Sequence, residues 1–224
     1  MSITSQLESV AVSLGGRAQL VAVSKTYPNS AIEEAYLTGQ RKFGESRPQE
    51  LVAKWESLPK DIEWHMIGHL QRNKVRSIMP FVTMIESVDS ARLCEMIEVE
   101  AARVDRVVDC LLEVHVAREE SKTGWDYSEL LEYVKGGAFD AMPHVRVRGL
   151  MCIASNTDDE SVVRGDFERL VQYKNELSQY FAGSDFDTLS MGMSHDYLMA
   201  VECGSTSVRV GSLIFGARDY SNVK

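Results

Sequence analysis

Short apolar runs alternate with longer amphipathic segments along almost the whole chain. Each run has four to seven residues, and several are apolar at nearly every position, as in parallel strands covered on both faces. The runs lie at residues 20–25, 42–46, 62–68, 84–89, 110–116, 147–153, 188–192 and 207–210. Eight strands that alternate with helices predict a single (β/α)8 TIM barrel, and a further helix at residues 2–14 precedes the first strand.

Two of the predicted helices carry signals at their ends. Ser30 and Glu33 have the spacing of a capping box, and so do Asp126 and Glu129. Gly136 follows the second of these helices, at a position where glycine commonly ends a helix. We therefore expect Ser30 and Asp126 to be N-caps.

Composition and charge narrow the class of protein. The 224 residues are 44% hydrophobic and contain no linker-like tract, so we expect one domain over residues 1–224. The net charge of −9 argues against a nucleic-acid partner. No run approaches the length of a membrane span, the amino terminus lacks a signal-peptide pattern, and the four cysteines are isolated. These features predict a cytoplasmic protein without a membrane anchor.

In a barrel of this kind, functional residues collect at the carboxyl ends of the strands. Lys25 ends the first apolar run and is followed at once by a turn. A single amine in that place is typical of a lysine that bonds covalently to a carbonyl compound. The other polar residues expected on this rim are Thr26, Glu45, Ser46, His69, Asp89, Glu119 to Lys122, Ser155, Asn156, Ser194 and the turn at 204–207.

Two small-residue turns late in the chain have the character of a phosphate site. They are MGMSHDY (191–197) and GSTSVRVG (204–211). Ser194 is placed to cap the following helix, and Gly204, Ser205 and Thr206 offer hydroxyl and backbone N–H groups. A simple N-cap followed by a glycine C-cap is the structural alternative. An amine and phosphate-binding turns on one rim predict a phosphorylated aldehyde as the ligand, with pyridoxal phosphate as the first candidate.

Arg209 is predicted to point into the barrel. The alternation at 207–210 puts Val208 and Val210 on one side of the strand and Ser207 with Arg209 on the other. An arginine inside a barrel needs an acceptor, because an unpaired buried charge is very costly. That acceptor is either a pyridine nitrogen of the ligand or a neighbouring carboxylate.

No metal site is expected. His65 and His69 are four residues apart, but Gly68 and the strand-like context keep them off a common helical face. The chain also lacks a P-loop, a GxGxxG turn and the pattern of a Ser-His-Asp triad.

Taken together, these residues resemble those of the pyridoxal phosphate homeostasis proteins. The resemblance extends from the first strand to the last residues of the chain. The matching stretches are LVAVSKTYP (20–28), GQRKFGES (39–46), EWHMIGHLQRNK (63–74), SVDS (87–90), EESKTG (119–124), VRGLMCI (147–153), LSMGMSHD (189–196) and GSTSVRVGSLIFGARDY (204–220).

The resemblance implies a barrel like the amino-terminal domain of alanine racemase, the type III fold of pyridoxal phosphate proteins. Lys25 then matches the lysine that forms the aldimine, and Arg209 matches the arginine that faces the pyridine nitrogen. The remaining cofactor-binding candidates are Ser46, Met191, Ser194, Gly204, Ser205, Thr206 and Gly211. Ser46 departs from the family, which commonly has asparagine there, and its shorter side chain reaches less far toward a cofactor.

Three functions are compatible with these residues. The first, which we expect, is a non-catalytic monomer that holds pyridoxal phosphate and passes it to apo-enzymes. The second is an amino-acid racemase, for which the resemblance implies a second acid/base from a separate domain that we can assign to no residue here. The third is a Schiff-base aldolase or isomerase acting on a sugar phosphate. The roles of Tyr220 and of the loop at 119–124 stay open.

Overall fold

The fold is a closed barrel of eight parallel strands surrounded by helices. The computed structural model describes residues 2–119, 123–181, 183 and 185–217. The strands are β1 Gln19–Val23, β2 Lys42–Glu45, β3 Glu63–Met66, β4 Met84–Val88, β5 Val108–Glu113, β6 Val145–Met151, β7 Thr188–Ser190 and β8 Ser207–Val210. The helices are α1 Ile3–Leu14, α2 Asn29–Leu37, α3 Pro48–Ser57, α4 Arg72–Ile78, α5 Ala91–Arg103, α6 Tyr127–Lys135, α7 Glu160–Leu177, α8 Tyr197–Glu202 and α9 Ser212–Phe215.

Each strand pairs with the next one along the chain, and β1 closes the barrel against β8. Gln19 at the start of β1 lies opposite Ser207, and Ala22 lies opposite Val210, so both strands run toward the same end. All eight predicted strands are present and the predicted TIM barrel is confirmed. The connections after the strands therefore lie at one end of the barrel and those before the strands at the other.

The main apolar core lies between the sheet and the helices. In α5, Leu93, Ile97 and Ala101 are buried at helical spacing. Val104 follows at the same spacing but is 40% exposed, because the helix ends at Arg103. The predicted helix before β1 is also present, with the Ser2 side chain accepting a hydrogen bond at its start.

One of the two predicted N-caps is correct. Asp126 accepts hydrogen bonds from the N–H groups of Ser128 and Glu129 at the start of α6, and Gly136 follows its end. The Ser30 prediction is wrong, because α2 begins at Asn29, two residues before the start that a Ser30 N-cap would give, and Pro28 occupies the extended N-cap position. No helix in the described parts of the chain is long and apolar enough to cross a membrane.

Candidate functional site

A cavity of about 410 Å³ opens at the carboxyl ends of the strands. Its walls come from segments that follow β1, β2, β3, β6, β7 and β8, far apart in sequence. It is lined by Val23, Lys25, Ser46, Ile67, Ile153, Met193, Ser194, His195, Arg209, Gly211 and Ser212. The volume is within the ordinary range for a small-molecule site, and apolar walls with a few convergent polar groups are typical of one.

A larger groove lies at the other end of the molecule. It has about 730 Å³ and is bordered by α1, α2 and the residues that precede β1 and β2. Its charged side chains are the two carboxylates of Glu8 and Glu34, and it contains no cationic side chain. We therefore place the chemistry in the smaller cavity, where an amine and a guanidinium meet.

Lys25 reaches the cavity from a tight turn after β1. The buried strand residues Val21, Ala22 and Val23 deliver the chain to this end, and the N–H of Tyr27 donates to the carbonyl of Ser24 at 3.1 Å. Lys25 itself is half-buried. A primary amine in this position can condense with the carbonyl group of a bound ligand.

Arg209 lies inside the barrel, as its strand alternation predicts. It is 4% exposed, and it donates to the Ser190 hydroxyl at 2.6 Å and to the Cys152 carbonyl at 2.7 Å. The Glu86 carboxylate lies 3.8 Å from its guanidinium. Of the two predicted acceptors, the carboxylate is therefore present. Because Arg209 also lines the cavity, its guanidinium can face a ligand's pyridine nitrogen as well.

Glu86 was not identified from the sequence, although an acid in the apolar run at 84–89 was a usable signal. Its carboxylate is fully buried, lies 2.6 Å from Nδ1 of His65 and accepts from the Ser190 hydroxyl at 2.5 Å. Burial alone would raise the pKa of Glu86. The hydrogen bond and charge of His65, together with the charge of Arg209, outweigh burial and hold that pKa below its usual value. Glu86 therefore stays ionised and balances Arg209.

The turns after β7 and β8 meet at the cavity. The N–H of Gly211 donates to the Ser194 hydroxyl at 3.3 Å, which joins the two turns. A Cβ atom at Gly211 would lie 3.1 Å from the Val23 carbonyl oxygen, so the chain passes close to β1 here. Ser194 does not cap the next helix as predicted. The helix α8 begins only at Tyr197, and Asp196 occupies the N-cap position.

Gly204, Ser205 and Thr206 do not reach this cavity, and the prediction that they share its rim is wrong. The turn precedes β8, and the Thr206 carbonyl accepts from the N–H of Gln19 at the start of β1. The four residues of β8 lie between this turn and Gly211 on the cavity wall, and they span about 13 Å at the rise of an extended strand. Ser205 donates to the Met191 and Ser207 carbonyls, so its hydroxyl holds the β7 and β8 segments together.

The other residues that were predicted on the rim lie in different parts of the structure. Ser46 lines the cavity, and Gly68 packs against it so closely that a Cβ there would lie 2.6 Å from the Ser46 carbonyl oxygen. Met191 is fully buried but does not line the cavity, and its N–H donates to the carbonyl of Ser207 at the start of β8. Glu45 is buried against α3.

The remaining predicted residues lie outside the cavity wall or outside the described residues. His69 and Asp89 pair at 2.9 Å in a neighbouring groove. The Glu119 side chain accepts from the N–H of Asn156 at 2.8 Å. Residues 120–122 of the predicted loop, and Tyr220, lie outside the residues that the structure describes.

Several cavity residues were missed by the sequence analysis. His195 and Ser212 are the polar ones, and each directly follows a residue that was identified, Ser194 or Gly211. Within the described ranges, no three His, Cys, Asp or Glu side chains are grouped so that they could hold a metal ion.

The site fits a phosphorylated pyridine aldehyde. Lys25 supplies the amine, Arg209 supplies a buried donor for a ring nitrogen, and the joined turns at 194 and 211–212 supply hydroxyl and backbone N–H groups for a phosphate.

Comparison with known proteins agrees with this geometry. A profile of the family described as "Alanine racemase, N-terminal domain" matches residues 2–219. The pyridoxal phosphate homeostasis protein of Haemophilus influenzae is 38% identical over 91% of this chain and 86% of the relative. That of Aquifex aeolicus is 41% identical over 91% of this chain and 88% of the relative.

A solved structure extends the comparison. PipY of Synechococcus elongatus, determined with PLP bound, is 37% identical, covers 96% of this chain and 100% of that chain, and has a TM-score of 0.88. The residues that the profile matches include all eight strands and every residue that lines the cavity. The chain belongs to the family of the alanine racemase N-terminal domain, among the pyridoxal phosphate homeostasis proteins.

Proposed function

We propose that this protein binds pyridoxal phosphate covalently at Lys25 and serves pyridoxal phosphate homeostasis by holding and releasing the cofactor. The observation that carries the proposal is the convergence of Lys25 and Arg209 on one cavity of about 410 Å³. The relatives' names and the PLP-bound structure of PipY support it. We take residues 1–224 as one cofactor-binding domain.

Each cavity residue has a role in this proposal. The Lys25 amine condenses with the aldehyde, and one water leaves. Arg209 faces the ring nitrogen, while Ser194 with the turn at 211–212 holds the phosphate. Bound pyridoxal phosphate supplies an electron sink for amino-acid chemistry. A guanidinium at the ring nitrogen keeps that nitrogen unprotonated, which weakens the sink and favours storage over turnover.

Racemisation is the second candidate function, because His195 also lines the cavity. A two-base racemase needs an acid/base on the face opposite Lys25. His195 is exposed, so its ring is not enclosed in the cavity. This placement favours binding of the cofactor without turnover, and we propose in addition that the protein delivers the cofactor to apo-enzymes.

The first test is an absorption spectrum of the purified protein with pyridoxal phosphate, before and after borohydride reduction, followed by peptide mapping. We expect a visible band that reduction abolishes, with the pyridoxyl group on Lys25. The Lys25→Arg variant, which keeps the charge, should show neither. A colourless protein, or a label on another lysine, would overturn the proposal. Amino-acid racemase assays on the same sample, with His195→Gln as the matched variant, separate storage from turnover.

A further inference from the structure

A buried ionic cluster lies behind the Lys25 turn, between the sheet and α3. It consists of Ser24, Glu45, Glu50 and Lys54. The Lys54 and Glu45 side chains are 6% and 0% exposed, and their charged atoms lie 2.7 Å apart. A buried ion pair is seldom worth more to stability than apolar residues of the same size, because desolvation offsets the attraction. We therefore looked for a function of this cluster other than stabilising the fold.

Lys54 is held by three acceptors. Its ammonium donates to the Ser24 carbonyl at 2.8 Å, to Glu45 at 2.7 Å and to Glu50 at 2.9 Å. An ammonium has three donors, so each of them has an acceptor. Lys54 is thus fixed in place and directed away from the cavity.

The cluster holds the backbone on both sides of Lys25. On one side, the Ser24 carbonyl accepts from Lys54, and the Ser24 hydroxyl donates to Glu45 at 2.6 Å. On the other side, the N–H of Thr26 donates to Glu50 at 2.6 Å. Residues 24 and 26 are therefore both tied to side chains of β2 and α3.

The turn needs this support because it is strained. Thr26 has φ of 70°, a region that a β-branched residue rarely adopts. Such a conformation costs about 1–3 kcal/mol and persists only where the surroundings hold it. With Thr26 in this conformation, the Lys25 side chain lines the cavity.

We propose that Lys54 and Glu50 are positioning residues that fix the Lys25–Thr26 turn so that the Lys25 amine faces the bound aldehyde. The inference rests on the proposed function and deepens it. Loss of the contacts that Glu50 and Lys54 make with this turn leaves the cavity walls in place. It lets the Lys25 amine adopt other positions. Covalent capture then slows, while non-covalent binding of the cofactor's ring and phosphate does not change.

Two measurements separate these effects. The first is the rate constant of covalent capture when apo-protein is mixed with pyridoxal phosphate, followed by absorbance and by borohydride trapping on Lys25. The second measurement is the affinity for pyridoxine 5′-phosphate, which has the ring and phosphate but no aldehyde. We expect Glu50→Leu to slow capture roughly 10- to 100-fold, as small misplacements of reacting groups do. The analogue affinity should change less than about twofold, within the variation between surface variants.

Matched variants complete the experiment. Glu50→Gln keeps an oxygen acceptor for the Thr26 N–H and should capture nearly as fast as wild type. Glu56→Leu removes an exposed carboxylate from the same helix and should change neither quantity. Lys54→Met should behave like Glu50→Leu, but it leaves two carboxylates unbalanced, so Glu50→Leu remains decisive if that variant fails to fold.

Each outcome is informative. Equal capture rates in wild type and Glu50→Leu would overturn the positioning role. So would a parallel loss of analogue affinity in Glu50→Leu, which would indicate general damage to the cavity. A wild-type protein that captures no pyridoxal phosphate at all would instead overturn the proposed function.

Discussion

At the scale of single residues, two of the buried ion pairs in the described part of the chain have different tasks. Arg209 and Glu86 lie inside the barrel, where Glu86 stays ionised and keeps the guanidinium balanced at the cavity wall. Lys54 of α3 and Glu45 of β2 pair between the sheet and α3, behind the Lys25 turn. Burying either pair costs desolvation free energy, and both pairs contact segments that line the cavity.

Glu45 makes stability depend on pH. Burial, which is larger than the attraction of Lys54, raises the pKa of Glu45 from 4.5 to about 7. The folded protein therefore holds this proton more tightly than the unfolded chain. The resulting stabilisation is fully present below pH 4.5 and is lost as pH rises through about 7.

Glu45→Gln should remove this dependence. Relative to the variant, wild type should lose unfolding free energy between pH 4.5 and about 7 and then level off. Urea unfolding of both proteins at several pH values across that window measures the difference. Parallel curves for wild type and variant would contradict the assignment, because other carboxylates titrate equally in both.

At the scale of elements, one glycine sets how closely β6 and β7 approach. Gly149 lies opposite Thr188, and a Cβ atom on it would lie 1.8 Å from the Thr188 carbonyl oxygen. Its φ of 150° is also one that other residues avoid. No side chain can rotate to relieve a contact with backbone, so the two strands would have to separate.

Gly149→Ala should therefore destabilise the barrel strongly, by about 4 kcal/mol or more, or prevent folding. Gly165 is the matched control, since it lies in α7 and a Cβ there meets no atom within 4 Å. Gly165→Ala should stabilise the protein by about 1 kcal/mol through helix propensity. The melting temperatures of the two variants, measured by thermal unfolding, test both predictions. Similar shifts in both would show that β6 and β7 can adjust.

The elements also show what a local pattern can predict. Strand identity and the inward direction of Arg209 follow from periodicity within a few residues, and both were predicted correctly. The start of α2 was missed because Ser30 has the right spacing but Pro28 takes the N-cap position. The partners Glu86 and Lys54 were missed because their contacts join segments that only the closed barrel brings together.

At the scale of the whole molecule, strand direction decides which turns share a site. Lys25, Ser194 and Gly211 each follow a strand, and the structure brings them to one cavity. The turn with Thr206 has equally suitable residues but precedes β8, so it lies at the other end. Residue type alone made the turns look alike. The order of strand and turn along the chain distinguishes them and was available in the sequence.

The two ends of the barrel should therefore respond differently to loss of a hydroxyl. Thr206 accepts from the N–H of Leu189 at 2.8 Å, so Thr206→Val should cost about 1 kcal/mol of stability. It should leave the affinity for pyridoxine 5′-phosphate unchanged. Ser194→Ala should weaken that affinity about fivefold, the equivalent of one hydrogen bond, with little loss of stability. Titration and urea unfolding of both variants measure the two quantities. Weaker binding in Thr206→Val, with normal binding in Ser194→Ala, would place the phosphate at the opposite end and refute the site.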